Sequence, residues 1–137
     1  MSCLFNSLSY FCNYNGNNVR KIICEYMEKD PFLSSNMKVS KTIEYLENKS
    51  LEDYIKEIKK DTTWGGAPEI KAFVNLTKTP ICVRNISSNK STYIKFEYDL
   101  SKKEEKQNNT SIIPVKNLYN KKIEITWNGY HYEPVKK

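Results

Sequence analysis

Trp64-Gly65-Gly66-Ala67-Pro68-Glu69-Ile70-Lys71-Ala72-Phe73-Val74-Asn75-Leu76-Thr77-Lys78-Thr79-Pro80-Ile81-Cys82-Val83 contains the change of period on which the fold turns. The Trp-Gly-Gly run breaks the chain, and Pro68, which needs no backbone N–H, suits a first helical turn. Ile70, Phe73 and Val74 then recur at helical spacing and predict an inward face. From Pro80 the spacing becomes alternating. Segments 80–85, 92–99 and 122–127 are rich in Ile, Val, Tyr, Phe and Thr, the residues that fit a pleated, half-buried surface.

Upstream of this stretch the chain reads as helical. Leu4, Phe5, Leu8 and Phe11 or Cys12 share one side of a helix that begins almost at Cys3. After Asn and Gly punctuation over 13–18, Val19, Ile22, Ile23, Tyr26 and Met27 repeat at helical spacing, and Pro31 predicts an end near Asp30. Segment 36–46 is ambiguous and is read as a helix carrying Val39, Ile43 and Leu46. Ser50 with Asp53 marks the start of another, bearing Leu51, Tyr54, Ile55 and Ile58. The charged, Asn-rich stretch over 100–110 lacks apolar periodicity and is expected to be an exposed loop within one domain, 1–137. The expected class is α+β, a helical first half packed on a mainly antiparallel sheet from the second.

The 137 residues, 39% hydrophobic, suffice for one buried core, and the N-terminus lacks the pattern of a secretory signal. No run of about 18 apolar residues exists, so no membrane span is expected. The net charge of +6 arises from bases interleaved with acids, as in Lys102-Lys103-Glu104-Glu105-Lys106. That pattern describes a solvated mixed-charge face and argues against a nucleic-acid partner. Cys3, Cys12, Cys24 and Cys82 form no C-x-x-C pair, so a reducing intracellular, cytoplasmic setting with free thiols is expected. Richness in Lys, Asn, Ile and Tyr hints at an AT-biased genome, of a virus or parasite acting in a host cell.

The chain has one histidine, His131. A lone histidine is more often a surface or hydrogen-bonded structural residue than a catalytic one, and what singles it out is the cysteine at the other end. Cys3 stands where a helix should begin, and exposed N–H groups there favour the thiolate, the nucleophilic form. Imidazole can take the thiol proton and later deliver it to a leaving amine. Glu133 lies two residues on, on the same side of an extended strand, where a carboxylate can hold the ring in the useful tautomer. Asn128 could orient the histidine, yet Asn128-Gly129 is first a turn signal. Trp64 is expected to pack in the core, with Cys12, Cys24 and Cys82 as buried small hydrophobes.

Cys3-Leu4-Phe5-Asn6-Ser7-Leu8 resembles the nucleophile segment of the ovarian-tumour (OTU) family of deubiquitinases. The run from Val19-Arg20 to Tyr26-Met27 is similar to that family's next helix. Trp64-Gly65-Gly66 with Glu69-Ile70 looks like its mid-chain signature, Pro80-Ile81-Cys82-Val83 like the following strand, and His131-Tyr132-Glu133 like its terminal histidine motif. The resemblance implies a papain-like α+β fold, a Cys3–His131–Glu133 site and no metal or organic cofactor. It also implies cleavage of ubiquitin or a related modifier from lysine side chains, and a monomer is expected. The family carries Asp-Gly-x before its nucleophile, where Met1 and Ser2 stand here. If Met1 is the native start, the expectation is impaired turnover, the alternative being an OTU-fold module that binds ubiquitin or another protein without turnover.

Overall fold

A computed structural model describes residues 3–99 and 113–136. The helices come first: α1 (Cys3–Ser9), α2 (Gly16–Glu28), α3 (Val39–Glu47), α4 (Leu51–Ile58) and α5 (Ala67–Thr77). A small hairpin, β1 (Phe32–Ser34) and β2 (Met37–Lys38), interrupts them; the main sheet is built from β3 (Ile81–Asn85), β4 (Thr92–Phe96), β5 (Ile123–Trp127) and β6 (Tyr132–Pro134). The α+β expectation holds, and each expected strand is present, trimmed at its ends. The loop expected over 100–110 lies outside the described residues.

Local chemistry accounts for the helix limits. The Asn15 side chain accepts the Asn18 N–H at 2.8 Å and starts α2; Ser50 does the same for Asp53 at 3.2 Å and starts α4. Asn48 and Lys78, at φ 55° and 52°, end α3 and α5 in the left-handed conformation that lets a terminal N–H turn back onto the last carbonyls. The ambiguous segment 36–46 divides into strand and helix. Val39 and Ile43 are buried as expected, but Leu46 is half exposed. The β1–β2 hairpin escaped the sequence reading because strands of three and two residues are too short to display a period.

The main sheet runs β4-β3-β5-β6, antiparallel at both flanks and parallel between β3 and β5. In that central pair Ile81 lies beside Ile123 and Val83 beside Ile125. All four are buried, in one continuous cluster with Phe73 and Val74 of α5 and Leu4, Phe5 and Leu8 of α1. Helix α1 packs against α2 and β6, so the two ends of the chain meet at the same side of the core.

Two glycines permit the close approaches on which α1 depends. A Cβ at Gly16 would lie 1.8 Å from Asn6 Oδ1 and 3.3 Å from Asn6 Cα, so a side chain at the start of α2 would have to displace that of Asn6. A Cβ at Gly65 would lie 2.8 Å from Leu4 Cδ2 and 2.9 Å from Phe5 Cζ. This second contact also corrects the placement of Trp64. It is Gly65 that faces the core, and its neighbour Trp64 is turned outward, 48% exposed. Trp64 lines a groove of about 450 Å³ with Leu46, Tyr54, Ile58 and Pro68.

Truncation should separate the two aromatics. Phe73→Ala, fully buried in α5, should cost about 3–5 kcal/mol, and Trp64→Ala only about 1 kcal/mol, because half of its surface already meets water. Urea denaturation of the two variants measures the difference.

Candidate active site

Cys3 is the first residue of α1 and is partly exposed, whereas Cys12, Cys24 and Cys82 are buried. Burial pushes the Cys12 and Cys82 thiols up, and that of Cys24 up to about 12, so these three are protonated, inert groups. The first turn of α1 is tied internally, Ser7 Oγ donating to the Cys3 carbonyl at 2.7 Å. Leu4, Phe5 and Leu8 sink into the core and hold the helix, leaving its opening residue at the rim.

His131 sits in the turn between β5 and β6. Asn128 Oδ1 accepts the N–H groups of His131 at 2.7 Å and Tyr130 at 2.9 Å, and Asn128 N–H donates to the His131 carbonyl at 3.2 Å. Gly129 takes φ 101°, which glycine adopts without strain. Asn128 thus builds the turn, its oxygen engaged by backbone. The hairpin is gripped by its aromatic pair, Trp127 and Tyr132, directly opposite in register with ring centroids 4.6 Å apart. Nε2 of His131 lies 3.6 Å from Glu133 Oε1, and both side chains are solvent-accessible. Because α1 packs on β6, the strand that adjoins the helix opened by Cys3 carries Glu133 and begins directly after His131.

Tyr132, between them in sequence, is partly buried. Its hydroxyl pKa is pushed up by burial first and then by the nearby Cys3 and Glu69. Glu69 is the residue that a search for exposed chemistry misses. It is completely buried, its Oε2 accepting from the Tyr54 hydroxyl and its Oε1 from the Gly66 N–H, both at 2.7 Å. The available signal was its position three residues after the helix-opening Gly66, where a carboxylate reaches back to the N-cap amide. Arg20 is also buried, donating to the Ile58 carbonyl at 2.6 Å and lying 4.2 Å over the Phe5 ring. Among the described residues no group of three or more His, Cys, Asp or Glu side chains could hold a metal ion. No helix there is long and apolar enough to cross a membrane.

Helices packed on a sheet whose centre is parallel and flanks antiparallel place the chain in the α+β class. Residues 2–123 match the model of the family described as OTU-like cysteine protease, a match that stops short of His131 and Glu133. Across 142 residues the chain is 27% identical to ubiquitin thioesterase OTU1 of Mus musculus and 25% identical to that of Homo sapiens. Each comparison covers 99% of this chain, which spans about a third of the length of those relatives (34% and 33%). Among solved structures, the viral OTU domain protease from Taggert virus superposes with a TM-score of 0.66 at 15% identity, covering 97% of this chain and 71% of that one. An OTU domain in complex with ubiquitin gives 0.62 at 21% identity, covering 97% and 62%. The chain belongs to the OTU-like cysteine protease family.

Burial pushes the Glu69 pKa up to about 7 from 4.5, against the hydrogen bonds from Tyr54 and Gly66 that favour the anion. A carboxyl that binds its proton more tightly folded than unfolded gives stability that is complete below pH 4.5 and is lost as pH rises through about 7, on the order of 3 kcal/mol. Glu69→Gln should therefore flatten the fall in unfolding free energy between these pH values, measured by chemical denaturation across the range.

Proposed function

We propose that the chain is a thiol isopeptidase that removes ubiquitin or a ubiquitin-like modifier from conjugates. Cys3 is the nucleophile, His131 the base and acid, and Glu133 the group that orients the ring. The observation that carries this reading is the His131–Glu133 pair at 3.6 Å, at the start of the strand against which the Cys3 helix packs. Membership in a cysteine protease family, two relatives named ubiquitin thioesterase and an OTU domain solved with ubiquitin support the substrate class.

The chemistry follows from the groups. With Glu133 on Nε2, Nδ1 is left to face the thiol and receive its proton. The thiolate attacks the carbonyl carbon that joins the modifier's C-terminus to a lysine side chain, giving a tetrahedral oxyanion. Amides of the first turn of α1 have no intrahelical acceptor and are suited to stabilise it. His131 then protonates the departing lysine amine as the C–N bond breaks, and the acyl group remains on Cys3 as a thioester. Water, deprotonated by His131, attacks the thioester; the modifier leaves as a carboxylate and the thiol is restored.

An exposed ion pair contributes about 0.2–1 kcal/mol, so orientation by Glu133 is a modest effect. Glu133→Gln should slow labelling by a ubiquitin bearing a C-terminal electrophile by at most about fivefold with the fold unchanged, and Cys3→Ala should abolish labelling. Mass spectrometry of the adduct reads both. Labelling of Cys3→Ala at the wild-type rate would move the nucleophile elsewhere. Ubiquitin binding without an adduct, unaltered by Cys3→Ala, would instead favour the non-catalytic binding module.

A further inference from the structure

The buried carboxyl of Glu69 has no part in the chemistry above, yet it sits behind the helix that carries the nucleophile. Its Oε1 holds the Gly66 N–H and its Oε2 the Tyr54 hydroxyl, so it ties the Gly65–Gly66 turn to the middle of α4. That turn is the piece of backbone pressed on α1: a Cβ at Gly65 would strike Leu4 and Phe5, the two residues that follow Cys3. We propose that Glu69 is a positioning residue, whose carboxyl, clamped between Tyr54 and Gly66, presses the Gly65–Gly66 turn on Leu4 and Phe5 and thereby sets where Cys3 stands relative to β6. This rests on the reading of Cys3 as nucleophile and His131 as its base.

Geometry favours this role over helix capping alone. A cap needs one bond to the N-cap amide, and water at a surface would serve it; here the carboxyl is fully buried and its second oxygen is tied to another helix. A buried acid with two directed bonds costs more to keep than an apolar side chain, so its return lies in fixing geometry. The groups that face it are Tyr54 from α4, Glu47 from α3, Arg20 and Cys24 from α2, and Tyr132 from β6. Cys3 likewise raises the pKa of the Tyr132 hydroxyl, so the carboxyl and the thiol both act on one partly buried group. Of these neighbours only Arg20 is cationic. Burial, with a smaller push from Glu47, raises the Glu69 pKa to about 7 against the bonds from Tyr54 and Gly66, and the anion holds those two donors by stronger, charge-assisted bonds than the acid does.

The test uses the full chain with two readouts: labelling by the ubiquitin electrophile, and alkylation of Cys3 by iodoacetamide as a function of pH, resolved by mass spectrometry. Glu69→Ala should slow both by about tenfold, about 1.4 kcal/mol of lost positioning. Glu69→Gln, whose amide oxygen can still accept from Gly66, should recover to within about threefold of wild type. The ratio of wild-type to Glu69→Gln rates should rise from about pH 6 to about pH 8 as the carboxyl ionises. A core variant outside the turn, Ile43→Ala, serves as the control for lost stability.

Rates for Glu69→Ala within threefold of wild type, a pH-independent ratio for Glu69→Gln, or an equal loss in Ile43→Ala would each overturn the proposal. If Glu69→Ala fails to fold, the pH dependence of the Glu69→Gln ratio decides alone. The two readings fail separately. A wild-type chain inert to the ubiquitin probe, with Cys3 alkylation still governed by residue 69, removes the substrate assignment and leaves the positioning role.

Discussion

The structure depends on the space left by one missing side chain. At Gly65 the chain comes so near α1 that even a methyl group would collide with Leu4 and Phe5. Those two residues are almost wholly buried and, with Leu8, anchor a helix of only seven residues. A helix this short has no stability of its own in water, so its place and existence derive from what it packs on. The turn in front, α2 beside it and β6 at its flank supply that surroundings. Each is close because a small residue or a matched side chain lets it be.

The interior shows where polar groups were admitted and on what terms. Arg20 satisfies a carbonyl at the end of α4 and lays its guanidinium over Phe5. Asn75 of α5 donates to the Tyr26 hydroxyl and to the Leu33 carbonyl, both at 3.0 Å, and so joins α2, α5 and the small β1 strand. Thr77 bonds back to the Phe73 carbonyl at 2.7 Å. Apolar packing tolerates small slips between helices; directed bonds between particular atoms do not, so Arg20 and Asn75 fix register as well as contact.

Much of this was legible in the sequence because the elements obey their periods. The switch at Pro80 separated helices from strands, and Ile70, Phe73 and Val74 lie buried as their spacing required. Asn128-Gly129 read as a turn and is one. Trp64 was misplaced because residue type favours burial for Trp, while the deciding fact, the direction of its neighbour Gly65 toward α1, is tertiary. Leu46 failed for a related reason: it lines the open groove beside Trp64 and is half exposed, which its helical spacing does not disclose. The family blocks pointed to Cys3, His131 and Glu133; the packing of α1 against β6 is a tertiary fact that no period displays. The burial of Glu69, by contrast, cannot be told from an exposed capping carboxylate until α4 brings Tyr54 over it.

The parallel pairing of β3 with β5 has a further consequence. Ile81 reaches its neighbour Ile123 only after an excursion of about forty residues, through β4 and back. The entropy of closing such a path grows only with the logarithm of its length, about 0.6 kcal/mol for each doubling. Lengthening or shortening the middle of the excursion therefore leaves β3 and β5 side by side at nearly constant free energy, and the hairpin beyond β5 stays where it is. The scaffold uncouples the evolution of that stretch from the geometry at its end: descendants could acquire new surface there, even whole added segments, while inheriting an unaltered hairpin beside α1.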